Sequence, residues 1–452
     1  MHFRRVSLLV LLSGSAVFVA VACGDSNESA PQADSDAAAD GSLPDGTTAS
    51  DGSSSSDVAV DVTSDTISDV ASDVASDVTD GGVADVATDA VVLVDGGAYA
   101  HQIGAGDQHT CVIRGGGTVR CWGGNKYGQL GNGNDGGAST STPVDVVGLT
   151  DAVELTAGPS YTCARRAGGG VACWGEGRYF GTPDAGGSSV PVNVPGITDA
   201  VQISARSYHV CALRANHHVV CWGSNQGRIG DGTAPDRPTP TEPVSPDGGV
   251  MADGVSVATG WGHTCIVHQN GHVTCSGTYN AWSQVGSGDN AEYLTPIEVS
   301  GLTNAVQVGL GYYTSCARLA DDTVKCWGNN QAGQLGLGTS DSNLHGTPVA
   351  VPGMTNVAMV APSGFGTCVL TKTGQVHCWG NDVAGSGTGN STSPQLVTTS
   401  GTVVEVAGGD AHACARLTTG AIQCWGSNYA GQIGAAVDAG AKSVSPVDVP
   451  GL

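Results

Sequence analysis

Basic residues are scarce in this chain of 452 residues: 17 Lys and Arg stand against 41 Asp and Glu, a net charge of −24. Residues 24–97 contain no Lys or Arg at all, against 17 Asp and Glu. From residue 98 onward, 24 acids face 15 bases, so no basic face is expected. Phosphate backbones are bound through Lys and Arg, and nucleic acid is therefore not an expected partner. Aromatics are few, with 8 Trp, 10 Tyr and 4 Phe, and there are only 4 Met. A core of large apolar side chains is not on offer. Catalytic signatures are missing too: there is no G-x-S-x-G, no H-E-x-x-H and no phosphate loop. The S-x-D-x-G-x-T-W box of sialidase-type propellers is also absent. Carboxylates do not recur in pairs. No catalytic residue, cofactor or metal is expected.

What is present begins with an export signal. Residues 1–5 (MHFRR) are a short positive start, and residues 6–22 form an apolar or small run. Cys23 follows, as in a secretory signal peptide. Ala20-Val21-Ala22-Cys23 has the layout of a bacterial lipobox, with Ala20 where Leu is usual. Lipidation of Cys23 is the expectation, with simple secretion or an uncleaved anchor as rivals. The anchor reading is weakened because seventeen residues only just reach the bilayer span. Residues 23–97 then read as a disordered linker rich in Asp, Ala and Ser. Asp recurs every fourth residue from Asp57 to Asp77, which would stack like charges along a helix. High charge with no aromatic before Tyr99 favours a solvated tether. Calcium binding is the alternative, and the run lacks the Gly-rich spacing of known loops.

Residues 98–452 are a sevenfold repeat. Each unit has an apolar strand, a Gly-containing turn, a Cys strand, a hairpin, a second Cys strand, a variable loop and a Pro-Val strand. The cysteines pair as Cys111 with Cys121, Cys163 with Cys173, Cys211 with Cys221, Cys265 with Cys275, Cys316 with Cys326, Cys368 with Cys378 and Cys414 with Cys424, all C-x9-C. Successive pairs lie 46 to 54 residues apart, the size of a four-stranded propeller blade. The expected fold is an all-β seven-bladed propeller with one disulfide within each blade. Each hairpin is symmetric about its midpoint: Gly116, Gly168, Asn216, Asn270, Asp321, Thr373 and Thr419. That symmetry sets the two cysteines opposite each other, within reach of a disulfide. Zinc is the rival, but structural zinc favours C-x2–4-C spacing and four ligands. Fourteen paired cysteines leave Cys23 over, which suits lipidation. They also point to an oxidising compartment outside the cytoplasm. The final Pro446-Val447-Asp448-Val449 strand is expected to close the ring by lying beside the first strand.

The strings H-T-C, C-W-G-x-N and G-Q-[LI]-G resemble the repeats of the regulator of chromosome condensation family. Good copies run from Trp122 to Gly131, from Trp327 to Gly336 and from Trp425 to Gly434. Blades two, four and six depart, and blade four has Ser276 where the others have Trp. The resemblance implies a propeller fold. For function it is weak, since fold does not fix chemistry. The family's founding member acts on a small GTPase in the nucleus, which an exported chain would not meet. The chain is also similar to secreted β-lactamase-inhibitor propellers, which look like pure protein binders with an aromatic face.

In a simple meander the a–b turns and c–d loops share one face of the propeller. Six aromatics crowd the a–b turns: Tyr161, Tyr208, Trp261, Tyr312, Tyr313 and Phe365. They are either partner anchors or packing between blades. Asp107 and Asp410 hold the matching turns of blades one and seven. His109, His209, His263 and His412 recur two residues before the first Cys. They are read as satisfying backbone groups rather than as a metal ring. The functional expectation is a monomeric, exported module that binds a protein or glycan at the cell envelope. Membrane contact would be only through Cys23. A polysaccharide-processing hydrolase or lyase with a loop-built site is the alternative.

Overall fold

The computed structural model describes residues 102–452 apart from 183–185, 382–389, 435–437 and 439. The export signal, Cys23 and the acidic linker lie outside the described residues.

Seven four-stranded antiparallel meanders form seven blades. Blade one has strands a to d at Gln102–Ala105, His109–Ile113, Val119–Gly123 and Thr140–Asp145. The others span residues 152–193, 200–241, 254–298, 305–350, 357–397 and 403–448. The a strands of all seven line a central channel of about 210 Å³. Strand b is buried along its length in three blades and at all but one or two residues in the other four, while strand d is mostly half-buried or exposed.

All seven expected disulfides are present, one in each blade. Cys111 is bonded to Cys121, Cys163 to Cys173, Cys211 to Cys221 and Cys265 to Cys275. Cys316 is bonded to Cys326, Cys368 to Cys378 and Cys414 to Cys424. Each bridge joins directly opposed residues of strands b and c, such as Cys111 and Cys121, whose Cα atoms are 4.0 Å apart. The hairpin tips explain how the register is fixed. In blade two the Arg166 carbonyl accepts from Gly169 N–H (2.9 Å), and Gly169 then takes φ +78°. A Cβ there would stand 2.7 Å from the Thr198 carbonyl oxygen. The same position, one past the midpoint, has positive φ in every blade, and only blades three and five place a non-glycine there, His217 and Asp322.

The core is not one mass but seven interfaces between neighbouring blades. Each apolar cluster contains the disulfide of one blade together with residues of the next. Six of them also contain the next blade's Trp: Trp174, Trp222, Trp327, Trp379, Trp425 and Trp122. These six indoles are fully buried. The cluster between blades three and four, built on Cys211 and Cys221, has no Trp, because Ser276 stands there. Ser276 Oγ donates instead to the Arg228 carbonyl (3.3 Å).

Polar groups repeat across the same seams. Trp174 Nε1 and Thr162 Oγ1 of blade two both donate to the Gln129 carbonyl of blade one, each at 2.9 Å. His109 Nε2 of blade one meets that same Thr162 hydroxyl at 2.8 Å. Blades four and five repeat this with His263, Ser315, Gln284 and Trp327. The H-T-C, C-W-G and G-Q-[LI]-G strings are therefore parts of one joint. The histidine partner is a hydroxyl on the next blade, not the backbone group expected from sequence.

Two expectations need correction. The closing strand Lys442–Asp448 pairs with Ile422–Ser427 of its own blade and not with the first strand. Closure uses the same joint as the seams between blades one and two and between blades four and five: Thr110 Oγ1 meets His412 Nε2 at 2.9 Å, and Trp122 Nε1 donates to the Gln432 carbonyl at 2.9 Å. Ile103 N–H adds a bond to Glu405 Oε1 (2.9 Å). In blade three the outer strand is Arg237–Thr241, so Pro243-Val244 falls beyond it; Val244 forms an isolated bridge to Val250 and donates its N–H to the Gly230 carbonyl (3.0 Å). The proline-rich RPTPT can lie at that edge because an outermost strand needs fewer backbone donors.

Candidate binding face

The a–b turns and c–d loops do share one face. Gly124 of a c–d loop donates to the Gln108 carbonyl of an a–b turn (2.7 Å). On the opposite face, b–c hairpins meet the connections between blades, as where Ala167 N–H donates to the Asp151 carbonyl (2.8 Å).

Five of the six aromatics come together on the first face as an arc over blades three to six. Phe365 meets Tyr312 (centroids 5.2 Å apart), Tyr312 meets Tyr313 (6.5 Å), Tyr313 meets Trp261 (5.4 Å) and Trp261 meets Tyr208 (6.4 Å). Ring planes are inclined by 59° to 81° in these four pairs, the tilted and edge-to-face geometry that aromatic quadrupoles favour. Tyr208 and Phe365 are each 39% exposed. Trp261, Tyr312 and Tyr313 are half-buried.

Tyr161 is the exception and must be removed from the face. It is fully buried, stacks on Tyr179 at 4.0 Å and donates from its hydroxyl to the His209 carbonyl (3.0 Å). It is packing between blades. Its register says why: Tyr161 stands two residues before Cys163, where other blades place an inward His.

Two members of the site went unpredicted. Tyr279, on the c–d loop of blade four and 40% exposed, packs on Trp261 at 4.9 Å. Arg228 lies with its guanidinium 5.4 Å from the Tyr208 ring and 5.1 Å from the Tyr279 ring. Its Nε also donates to the Trp261 carbonyl (3.1 Å). The available signal was departure from the repeat: Arg228 replaces Gln in G-Q-[LI]-G, and Tyr279 belongs to the blade that lost its Trp. Tyr127 and Tyr429 are further exposed rings on the c–d loops of blades one and seven.

At the channel mouth the arc meets charge. Tyr312 Oη donates to Asp107 Oδ2 (3.0 Å), linking blade five to blade one. Burial, reinforced by the nearby Asp410 carboxylate, pushes Asp107 up to about 6, while Arg206 and the Tyr312 hydroxyl pull the other way. Burial and the Asp107 charge raise the Tyr312 phenol well above its ordinary value. Arg206 reaches from blade three to the Pro362 carbonyl (2.7 Å) and the Gly408 carbonyl (3.0 Å).

The four histidines are fully buried, and among the described residues no group of three His, Cys, Asp or Glu is placed to hold a metal ion. Burial depresses all four: His109 to about 4, His263 and His412 to about 3, and His209 well below its usual value. They are neutral.

Fold and face together define a class: a seven-bladed propeller with repeat-encoded seams and one decorated face. The chain carries regulator of chromosome condensation (RCC1) repeats. One family model of that description matches residues 116–165 and 321–370, and a second matches 100–129, 200–227, 305–334 and 403–432. The chain is 28% identical over 307 residues to the ultraviolet-B receptor UVR8 of Arabidopsis thaliana, covering 68% of this chain and 58% of that one. It is 36% identical over 98 residues to the probable E3 ubiquitin-protein ligase HERC4 of Homo sapiens, covering 21% and 9%. The chain thus spans less than two thirds of either relative's length. Among solved structures, human WBSCR16 superposes with a TM-score of 0.63 at 20% identity, covering 74% of this chain and 94% of that one. Yeast RCC1 (Prp20), from a structure with Kap60 bound, gives 0.62 at 18%, covering 82% and 91%. These two show the fold alone.

Proposed function

We propose that the chain is an exported, lipid-anchored protein-binding module, and that its partner docks on the arc formed by Tyr208, Trp261, Tyr279, Tyr312, Tyr313 and Phe365. The observation that carries this reading is the arc itself. A chain with only 22 aromatics places a run of them in mutual contact at the surface, and exposed aromatic patches of this kind anchor interfaces. The tilted rings make a ridged surface rather than a flat platform, which favours protein side chains over a stacked sugar. Export is supported by the seven disulfides, which persist in oxidising compartments, and by the signal-like start ending in Cys23. No observation favours the polysaccharide-processing alternative.

The test is affinity capture from the native envelope with the full chain and with a double variant, Trp261→Ala with Tyr312→Ala. Loss of a captured protein from the variant, with unchanged circular dichroism, supports the reading. Equal capture by a folded variant overturns it.

A further inference from the structure

We propose that the docked partner presents an aspartate or glutamate side chain to Arg228, where the rings of Tyr208 and Tyr279 flank the guanidinium. This inference rests on the aromatic face being the docking surface, and adds the chemistry of one anchor. It starts from a departure in the repeat. Gln129, Gln284, Gln334 and Gln432 hold the matching position in blades one, four, five and seven. Each is buried, and its Oε1 accepts from the N–H two residues earlier at 2.8 to 3.2 Å. A guanidinium has no acceptor and cannot replace that bond. The seam uses the backbone carbonyl of this residue, which in blade three takes the Ser276 hydroxyl. The Arg228 side chain turns instead to the face, where Nε donates to the Trp261 carbonyl of the next blade (3.1 Å).

There it is a cation with no direct counter-ion among the described residues. Asp236 is linked to it through Ser224, whose hydroxyl accepts from Nη1 (3.2 Å) and donates to Asp236 Oδ1 (3.1 Å). Arg228 is 2% exposed, and burial works against its charge. The two tyrosine faces offset part of that cost. Nη2 makes no hydrogen bond to a described residue, yet it is not sealed from solvent. Trp261 Nε1, Tyr208 Oη and Tyr313 Oη are likewise unbonded among the described residues. These donors belong to rings in contact with one another. A carboxylate accepts several hydrogen bonds at once and supplies the missing charge. An amide supplies an acceptor without the charge, and an ammonium group supplies neither.

The experiment cross-links the full chain carrying Arg228→Lys in the native envelope with a zero-length carbodiimide, which joins an amine to a carboxyl without a spacer. Adducts are mapped by mass spectrometry. The account predicts an amide between position 228 and an Asp or Glu side chain of the protein captured through Trp261 and Tyr312. It predicts none at 228 in the wild type, whose guanidinium does not couple. An adduct at 228 to any other group, or none from a chain that still captures its partner, overturns the anchor and leaves the face standing. If Trp261→Ala with Tyr312→Ala captures as well as the wild type, face and anchor fall together. The purified partner is then titrated by calorimetry. Arg228→Gln restores the residue of the other blades and should keep its near-ultraviolet circular dichroism while losing at least tenfold in affinity. Arg228→Lys, which keeps the charge, should lose less. Replacing the mapped acid of the partner by its amide should cost nothing further against Arg228→Gln. Retention within twofold by Arg228→Gln, or losses that simply add, overturns the proposal.

Discussion

His109, His263 and His412 each give Nε2–H to a hydroxyl whose own proton goes to a Gln carbonyl. That fixes the tautomer and leaves Nδ1 buried without a partner, as it is in His209. Protonation would place a charge there with nothing to accept the bond. The unfolded histidines titrate near the ordinary 6.5, the folded ones at about 4 or below. The unfolded state therefore binds more protons between those values, and stability falls as pH drops through that window. At pH 5 each depressed histidine costs about 2 kcal/mol. Asp107 and Glu405, both pushed up to about 6, and Glu154, which burial also raises, act oppositely and gain stability as pH falls. The four buried histidines outweigh these three carboxylates, so the denaturation midpoint should drop from pH 7.5 to pH 5, and His263→Gln should lessen the drop. A midpoint independent of pH would refute this. At this scale the sequence located the histidines and the aromatic turns, but treated Tyr161 as equivalent to Tyr208. The two differ by one residue in register before the cysteine, and alternation along a strand turns one inward and the other outward.

Strands and hairpins were legible because the C-x9-C pairs are symmetric about each tip. What the midpoint did not reveal is that the residue after it carries the left-handed backbone. Gly169→Ala should destabilise by at least about 1–2 kcal/mol, since strain in φ adds to the clash with Thr198; a chemical melt within about 0.5 kcal/mol of wild type would contradict it. The outer strand of blade three was misplaced for a different reason. A Pro-Val pair repeats in sequence, but an edge strand is held by few contacts, and RPTPT takes its place. Seams are more uniform. Trp327→Ala removes a fully buried indole between blades four and five and should cost about 3–5 kcal/mol. Ser276→Ala, in the one seam without Trp, should cost about 1 kcal/mol. Equal costs at the two positions would mean that the indole is not the core of the seam.

For the whole molecule, the repeat number gave the blade number, while the manner of closure was not readable. A repeat pattern is silent on whether the last sheet borrows a strand, and the last seam proves to use the side-chain joint also found between blades one and two and between blades four and five. The disulfides belong to this scale as well. All fourteen paired cysteines are fully buried, so a reductant should release no thiols from the native protein and should release them fully once guanidinium is added. Thiol release without denaturant would contradict the closed ring. Each bridge contributes about 2–3 kcal/mol by restricting the unfolded chain's freedom, which matters in a ring whose core is divided among seven thin seams.

The proposal that the aromatic arc is the docking surface is tested most directly by photo-cross-linking in the native envelope. Benzoylphenylalanine is placed at Tyr208, on the arc, or at His272, on a hairpin tip of the opposite face. The account predicts a discrete protein adduct from position 208 that disappears in Trp261→Ala, and none from position 272. Adducts from 272 alone, or from 208 irrespective of Trp261, would contradict it.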